Sequence, residues 1–120
     1  MRLTVSLPVT TPSLNKLLRT HYRERKRMKK GFEWEFLVAG ACESQYRIDG
    51  AKKRRIELKA FRARLLDQDN FIGGLKPFLD GLIELELIHD DSPEYLEFRA
   101  EQIKAGKVDQ RLEITIEDVA

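Results

Sequence analysis

The sequence predicts an α+β fold: one domain, with a mixed β-sheet of about four strands and two main helices. Three observations lead there. Apolar and polar residues alternate through Arg2–Leu7, Ile56–Ala63 and Leu112–Glu117, the period of a half-buried strand. Apolar residues recur at helical spacing in Gly31–Tyr46 and Leu75–Leu87. The length of 120 residues suits one core, so residues 1–120 form a single domain.

The elements follow in order. Leu3, Val5 and Leu7 share one face of the first strand, and Pro8 to Pro12 breaks it. Leu14, Leu17 and Leu18 in Ser13–Thr20 make a short helical turn at most. Phe32, Phe36, Ala39 and Tyr46 line one side of the first main helix, with Val38 and Cys42 adjoining and Trp34 flanking as a core or dimer contact. Asp49-Gly50 is a turn, and Ile56, Leu58 and Ala60 begin a strand that runs toward Asp67. Phe78, Leu79, Leu82, Ile83 and Leu87 face inward from the second main helix. Ser92-Pro93 turns the chain. Tyr95–Ile103 fits a strand through Leu96, Phe98 and Ala100, and a helix through Leu96, Ala100 and Ile103. Ala105-Gly106-Lys107 is a turn before the last strand, where Leu112, Ile114 and Ile116 alternate with polar residues.

Composition narrows the function classes. A hydrophobic content of 42% excludes disorder. A single cysteine, Cys42, excludes an internal disulfide and a cysteine-rich zinc site, and its apolar surroundings predict a buried thiol. No basic leader with an apolar segment opens the sequence, and no apolar run approaches about 18 residues. The expectation is a soluble, cytoplasmic protein with no membrane partner. The net charge of +2 is mild, so the placement of charge decides. Two basic clusters stand out. Thr20–Lys30 carries Arg23, Arg25, Lys26, Arg27, Lys29 and Lys30 against one acid, Glu24, with His21 and Tyr22 at its head. Lys52, Lys53 and Arg54, with Arg55, precede the middle strand. Either is a solvated face or a phosphate-binding strip, in which Tyr22 can stack on a base.

The densest chemistry lies in Asp67–Pro93. Asp67 and Asp69 stand before an apolar run and Asp90 and Asp91 after it, with Gly73, Gly74 and Lys76 between. Two carboxylate clusters joined by one helix-length segment suit a metal site if the segment folds back. An EF-hand calcium loop is excluded, because Phe71 and Phe78 occupy its fifth and twelfth positions. A P-loop is excluded, because Pro77 follows Lys76 where a serine or threonine is required. Asp67, Asp69 and Asn70 also suit a plain turn, and spacing leaves that open. Asp80 lies four residues after Lys76 and can pair with it. His89 precedes the Asp pair, a surface or supporting residue.

Asp67, Asp69 and Asn70, then Lys76 in a helix, then Asp90-Asp91 after a leucine-rich run, resemble the signature of the RusA family of Holliday-junction resolvases. These are small nucleases of prophages and bacteria. The opening strand, Pro12–Asn15 (PSLN) and the closing strand RLEITIED extend the resemblance over most of the chain. It favours a strand at Tyr95–Ile103. It implies a RusA-like fold, a homodimer, four-way junction DNA as partner and no small-molecule cofactor. It also implies Mg²⁺, with Mn²⁺ as a possible substitute, held by Asp67, Asp69 and Asp91 as metal-binding and catalytic residues. Lys76 would stabilise charge on the phosphate, and Asn70 and Asp90 would support. Arg23, Arg25, Lys26, Arg27, Lys29, Lys30, Lys52, Lys53 and Arg54 are the expected DNA contacts.

One spacing departs from the family pattern. Five residues separate Asn70 from Lys76 here, where the family has two. A helix from Asn70 would keep Lys76 on the face of Asp69, one turn further on. A loop at the glycines would remove that argument, and Pro77 favours a late helix start. Three readings follow: a metal-dependent junction endonuclease, a catalytically weak or inactive branched-DNA-binding protein of the same fold, and a structural protein whose acids serve only stability.

Overall fold

The computed structural model of the chain describes residues 1–119. Strand β1 (Arg2–Leu7) leads to the short helix α1 (Leu14–Arg19) and the long helix α2 (Tyr22–Val38). Strand β2 (Arg54–Arg62) is followed by α3 (Gln68–Gly73) and α4 (Lys76–Glu84), and β3 (Leu96–Lys104) and β4 (Arg111–Asp118) close the chain. The domain is α+β with a mixed four-stranded sheet in the order β1-β4-β2-β3. Strand β4 lies antiparallel to both β1 and β2, while β2 and β3 run parallel. A parallel pair needs a long crossover, and α3 and α4 supply it.

Alternation sets which face is covered. Leu3, Val5 and Leu7 of β1, Ile56, Leu58 and Ala60 of β2, and Leu112, Ile114 and Ile116 of β4 are buried in one core. Phe32, Phe36, Phe71, Phe78 and Leu82 fill it from the helices. Phe78 meets Phe32 edge-on and Phe36 tilted, each at 5.8 Å between ring centres, which joins α2 to α4. Tyr95–Ile103 resolves as strand. Leu96 lies opposite Arg54 and Phe98 opposite Ile56, so the partner strand decides what the ambiguous pattern left open.

Both main helices end earlier than their apolar patterns. Helix α2 stops because Gly40 adopts φ 80° and lets the Ala41 N–H reach back to the Phe36 carbonyl. The predicted contact Ala39 is therefore exposed, and Tyr46 lies in a separate turn. Helix α4 stops because Glu86 adopts φ 58° and the Leu87 N–H bonds the Leu82 carbonyl. At its other end α2 begins at Tyr22, so the basic run and the first aromatic positions form one helix. Trp34 is 62% exposed and is no core contact. Cys42 is only half-buried, though burial still raises its thiol pKa. Among the described residues no helix is long and apolar enough to cross a membrane.

Arg54 corrects an expectation. It is 3% exposed, in phase with Ile56 and Leu58 on the core side of β2. Its Nε donates to Asp118 Oδ1 at 3.0 Å, and its Nη1 donates to the Tyr46 and Leu87 carbonyls at 2.6 and 2.8 Å. At 3% exposure, with three of its five N–H groups committed to internal acceptors, the Arg54 guanidinium serves the fold and is not displayed for a phosphate. Arg54→Ala removes donors from two backbone carbonyls and from Asp118. It should lower the unfolding free energy by about 3 kcal/mol in a denaturant titration, the lower part of the range for a broken buried pair because Asp118 is partly solvated. Lys52→Ala should stay within about 0.5 kcal/mol of wild type.

Candidate functional site

Asp67 is placed from both sides. Before it, the Gln102 amide of β3 accepts from the Leu66 N–H at 2.9 Å and donates to the Leu66 carbonyl at 2.8 Å. After it, Asp67 caps α3: Oδ1 accepts from the Asn70 N–H at 2.9 Å and Oδ2 from Asn70 Nδ2 at 2.9 Å. Asn70 also uses its Oδ1 to accept the Asn15 N–H at 3.1 Å. The PSLN segment and the D-x-D-N segment are thus joined through one amide side chain. These bonds hold the Asp67 carboxyl below its ordinary pKa, the Asn70 backbone N–H first and its side chain second. Asp69 lies in the first turn of α3, exposed, with no hydrogen-bond partner among the described residues.

The glycine pair is a point of close packing. A Cβ on Gly74 would sit 1.8 Å from the Pro12 carbonyl oxygen, and one on Gly73 would sit 2.8 Å from the Leu14 side chain. The segment that opens α1 therefore lies directly on this backbone. The chain follows neither simple alternative for the glycines: α3 ends at Gly73, and α4 starts at Lys76 with Pro77 in its first turn.

From that position Lys76 Nζ reaches Asp91 Oδ2 at 3.0 Å and Asp80 Oδ1 at 3.1 Å. Hydrogen bonds to Asp91 and then Asp80 raise its pKa, so the amine stays protonated. The neighbouring Asp90 carboxyl is lowered by the Asp91 backbone N–H and next by the Ser92 hydroxyl, which marks a turn residue. His89 is exposed and packs edge-on against Tyr95 with ring centres 4.5 Å apart.

The acids thus form two subclusters, Asp67–Asp69–Asn70 and Lys76–Asp80–Asp91, with no hydrogen bond between them. Among the described residues no three histidine, cysteine or acidic side chains are grouped to hold a metal ion. Mg²⁺, however, keeps several waters and typically uses one or two carboxylates plus substrate phosphate. Asp67 and Asp69 are both exposed and have the chemistry of such a donor set.

A groove of about 510 Å³ runs between α1, α2 and the start of α4. Arg25, Lys26, Lys29 and Lys76 line it together with Asp80, Tyr22 and Leu18. Lys29 lies 3.6 Å from Glu84, while Arg25 and Lys26 have no ion-pair partner among the described residues. Of the other expected contacts, Arg23, Arg27 and Lys30 are exposed on α2, with Arg27 2.8 Å from Glu24. Lys52 and Lys53 precede β2 and do not line the groove. Sequence reasoning named Asn15 only within PSLN and missed its bond to Asn70, and it missed Gln102 and the packing role of Gly74. Only the Gly-Gly pair carried a local signal, as a place where backbones approach closely.

No protein-family model matches the chain, and a search of curated proteins finds no match.

The Asp67–Asn70 bonds set a pH dependence. A carboxyl whose folded pKa is depressed contributes stability above its unfolded pKa of about 3.9, and the contribution is lost as pH falls through the lower folded value. Asn70→Ala should return the Asp67 pKa toward the ordinary carboxylate range in a carboxyl-carbon NMR titration. This part of the stability difference from wild type should be present at neutral pH and shrink below about pH 4. An Asp67 midpoint that does not move would refute the assignment.

Proposed function

We propose that the chain is a metal-dependent endodeoxyribonuclease of the RusA type, which resolves four-way DNA junctions as a homodimer. One observation carries the reading: Arg25, Lys26 and Lys29 of α2 line one groove with Lys76, the lysine whose Nζ is paired with Asp91 and Asp80. An acidic centre repels DNA unless cations offset it, and this groove gathers Arg25, Lys26, Lys29 and Lys76 against one acid, Asp80. The fold supports it further, because Asp67 and Asp69 leave a helix start braced by Gln102 and Asn70.

In this reading Asp67 and Asp69 would hold Mg²⁺, with Mn²⁺ able to replace it, while Asp91, the third expected ligand, is paired with Lys76. The ion, when bound, supplies phosphate polarisation and a water of lowered pKa. Lys76, freed from the acids, places its ammonium against the charge that builds on the phosphate. Asn70 keeps Asp67 ionised and oriented. Arg23, Arg25, Lys26, Arg27, Lys29 and Lys30 hold phosphates on either side. Two copies related by a two-fold axis match a substrate with two opposed strands.

A second reading is favoured by one specific contact. Lys76 is bound to two carboxylates, and a lysine so held makes a junction binder that does not cut. A single experiment separates the two. Wild type and Asp69→Asn are incubated with a synthetic four-way junction, with and without Mg²⁺. Paired nicks that require Mg²⁺ and vanish in Asp69→Asn, with junction affinity within about threefold, are the expected result. Tight, salt-sensitive binding without cutting in Mg²⁺ or Mn²⁺ would replace the nuclease by the binder, and absence of binding would end both.

A further inference from the structure

We infer that Leu18 and Tyr22 form an apolar wedge that enters the unstacked bases at the branch of a DNA junction. The inference rests on the junction-binding reading above and deepens it, by naming the contact that would favour branched over duplex DNA. Leu18 is 68% exposed and Tyr22 is 61% exposed. They flank the corner between α1 and α2, and neither contributes to the core.

The corner is built to hold them outward. Ser13 caps α1 by accepting the Lys16 N–H at 3.1 Å. The Thr20 N–H closes that helix on the Leu17 carbonyl at 3.1 Å, and the Thr20 hydroxyl donates to the Lys16 carbonyl. His21 Nδ1 then caps α2 by accepting the Arg23 N–H at 3.1 Å. Both side chains therefore stand on capped helix ends, and helices present a contact more precisely than loops do.

The surroundings identify the occupant. Leu18 and Tyr22 line the groove with Arg25, Lys26 and Lys29, and Lys26 Nζ lies 4.6 Å from the Tyr22 ring centre. An apolar centre rimmed by cations suits a ligand that is apolar in the middle and anionic at its edge. A nucleobase between two phosphates has that character. In duplex DNA its faces are closed by stacking, and at a branch they open. Leucine side chains wedge between base steps, and aromatic rings stack on free bases regardless of sequence.

The test uses the full chain and two DNAs of equal length, a four-way junction and a duplex, each with 2-aminopurine at the same sequence position, which is the branch point in the junction. Wild type should raise the fluorescence at the branch and leave the duplex probe unchanged. The double variant Leu18→Ser, Tyr22→Ala should abolish the rise and weaken junction binding about tenfold, with duplex binding changed less than about twofold. Both residues are exposed, so its thermal unfolding should match wild type, and Leu18→Ser alone should give a smaller loss. Equal weakening on junction and duplex would overturn the wedge, since the residues would then serve general binding. An unchanged fluorescence rise would overturn it too. So would a change confined to self-association in analytical ultracentrifugation, which would give this corner to a second copy of the chain. Junction binding and cutting by wild type report on the underlying function independently of all three.

Discussion

The Pro12 carbonyl occupies the space where a side chain on Gly74 would begin. That close approach decides how the rest of the site is assembled. It lays the segment before α1 across the junction of α3 and α4, so Leu14 meets Gly73 and the Asn15 N–H meets the Asn70 side chain. With α1 fixed there, α2 leaves its corner in the direction that brings Arg25, Lys26 and Lys29 to Lys76. A methyl group at Gly74 would press on backbone, which yields less readily than the leucine side chain beside Gly73. The paired glycines are therefore a packing requirement and not one of left-handed backbone, since Gly74 sits at φ −79°.

The second constraint is the double tether of the loop that leaves β2. Gln102 holds Leu66 from β3, and Lys104 of the same strand reaches the Ala63 carbonyl. Arg62, whose pKa burial lowers, donates to the Thr11 carbonyl at 2.8 Å and so ties the end of β2 to the segment before α1. Two segments distant in sequence, β3 and the stretch before α1, thus converge on the end of β2 and the residues just before Asp67. A carboxylate on an untethered loop would lose much of its value to positional freedom, and these contacts remove that freedom before any ligand arrives.

Much of this was legible in the sequence, and the failures have physical causes. The strands were legible because alternation over one covered face leaves a period of two, and Leu3–Val5–Leu7 and Leu112–Ile114–Ile116 show it plainly. The insertion of β4 between β1 and β2 was not legible, because pairing joins residues as distant as Arg2 and Glu117 and no local pattern records it. Arg54 was misread for a subtler reason. Its place in a basic cluster suggested solvent, yet it is in phase with Ile56, Leu58 and Ala60, and following that phase back two residues would have put it on the core side. The pairing of Lys76 with Asp80 was visible as an (i, i+4) step, whereas its contact with Asp91 depends on how the chain returns after α4. Gln102 carried no signal, because a polar side chain that bonds a distant backbone looks like any surface amide, and Asn15 takes part only through its backbone N–H, which residue type does not record.

Energetics separates what shapes the site from what stabilises the protein. Lys76 is 61% exposed, and its partners Asp80 and Asp91 are 38% and 29% exposed. Ion pairs this open to water contribute no more than about 1 kcal/mol each and weaken with salt. Stability resides elsewhere, in the Phe32–Phe36–Phe78 contacts and in the Arg54 bonds. The Lys76 pairs therefore set which groups are neighbours without locking them together. A phosphate entering the groove offers Lys76 an anionic partner of comparable strength, and the exchange leaves the core untouched. A site held by exchangeable charges on a scaffold held by burial can rearrange around an anionic ligand at a cost well below the stability of the fold.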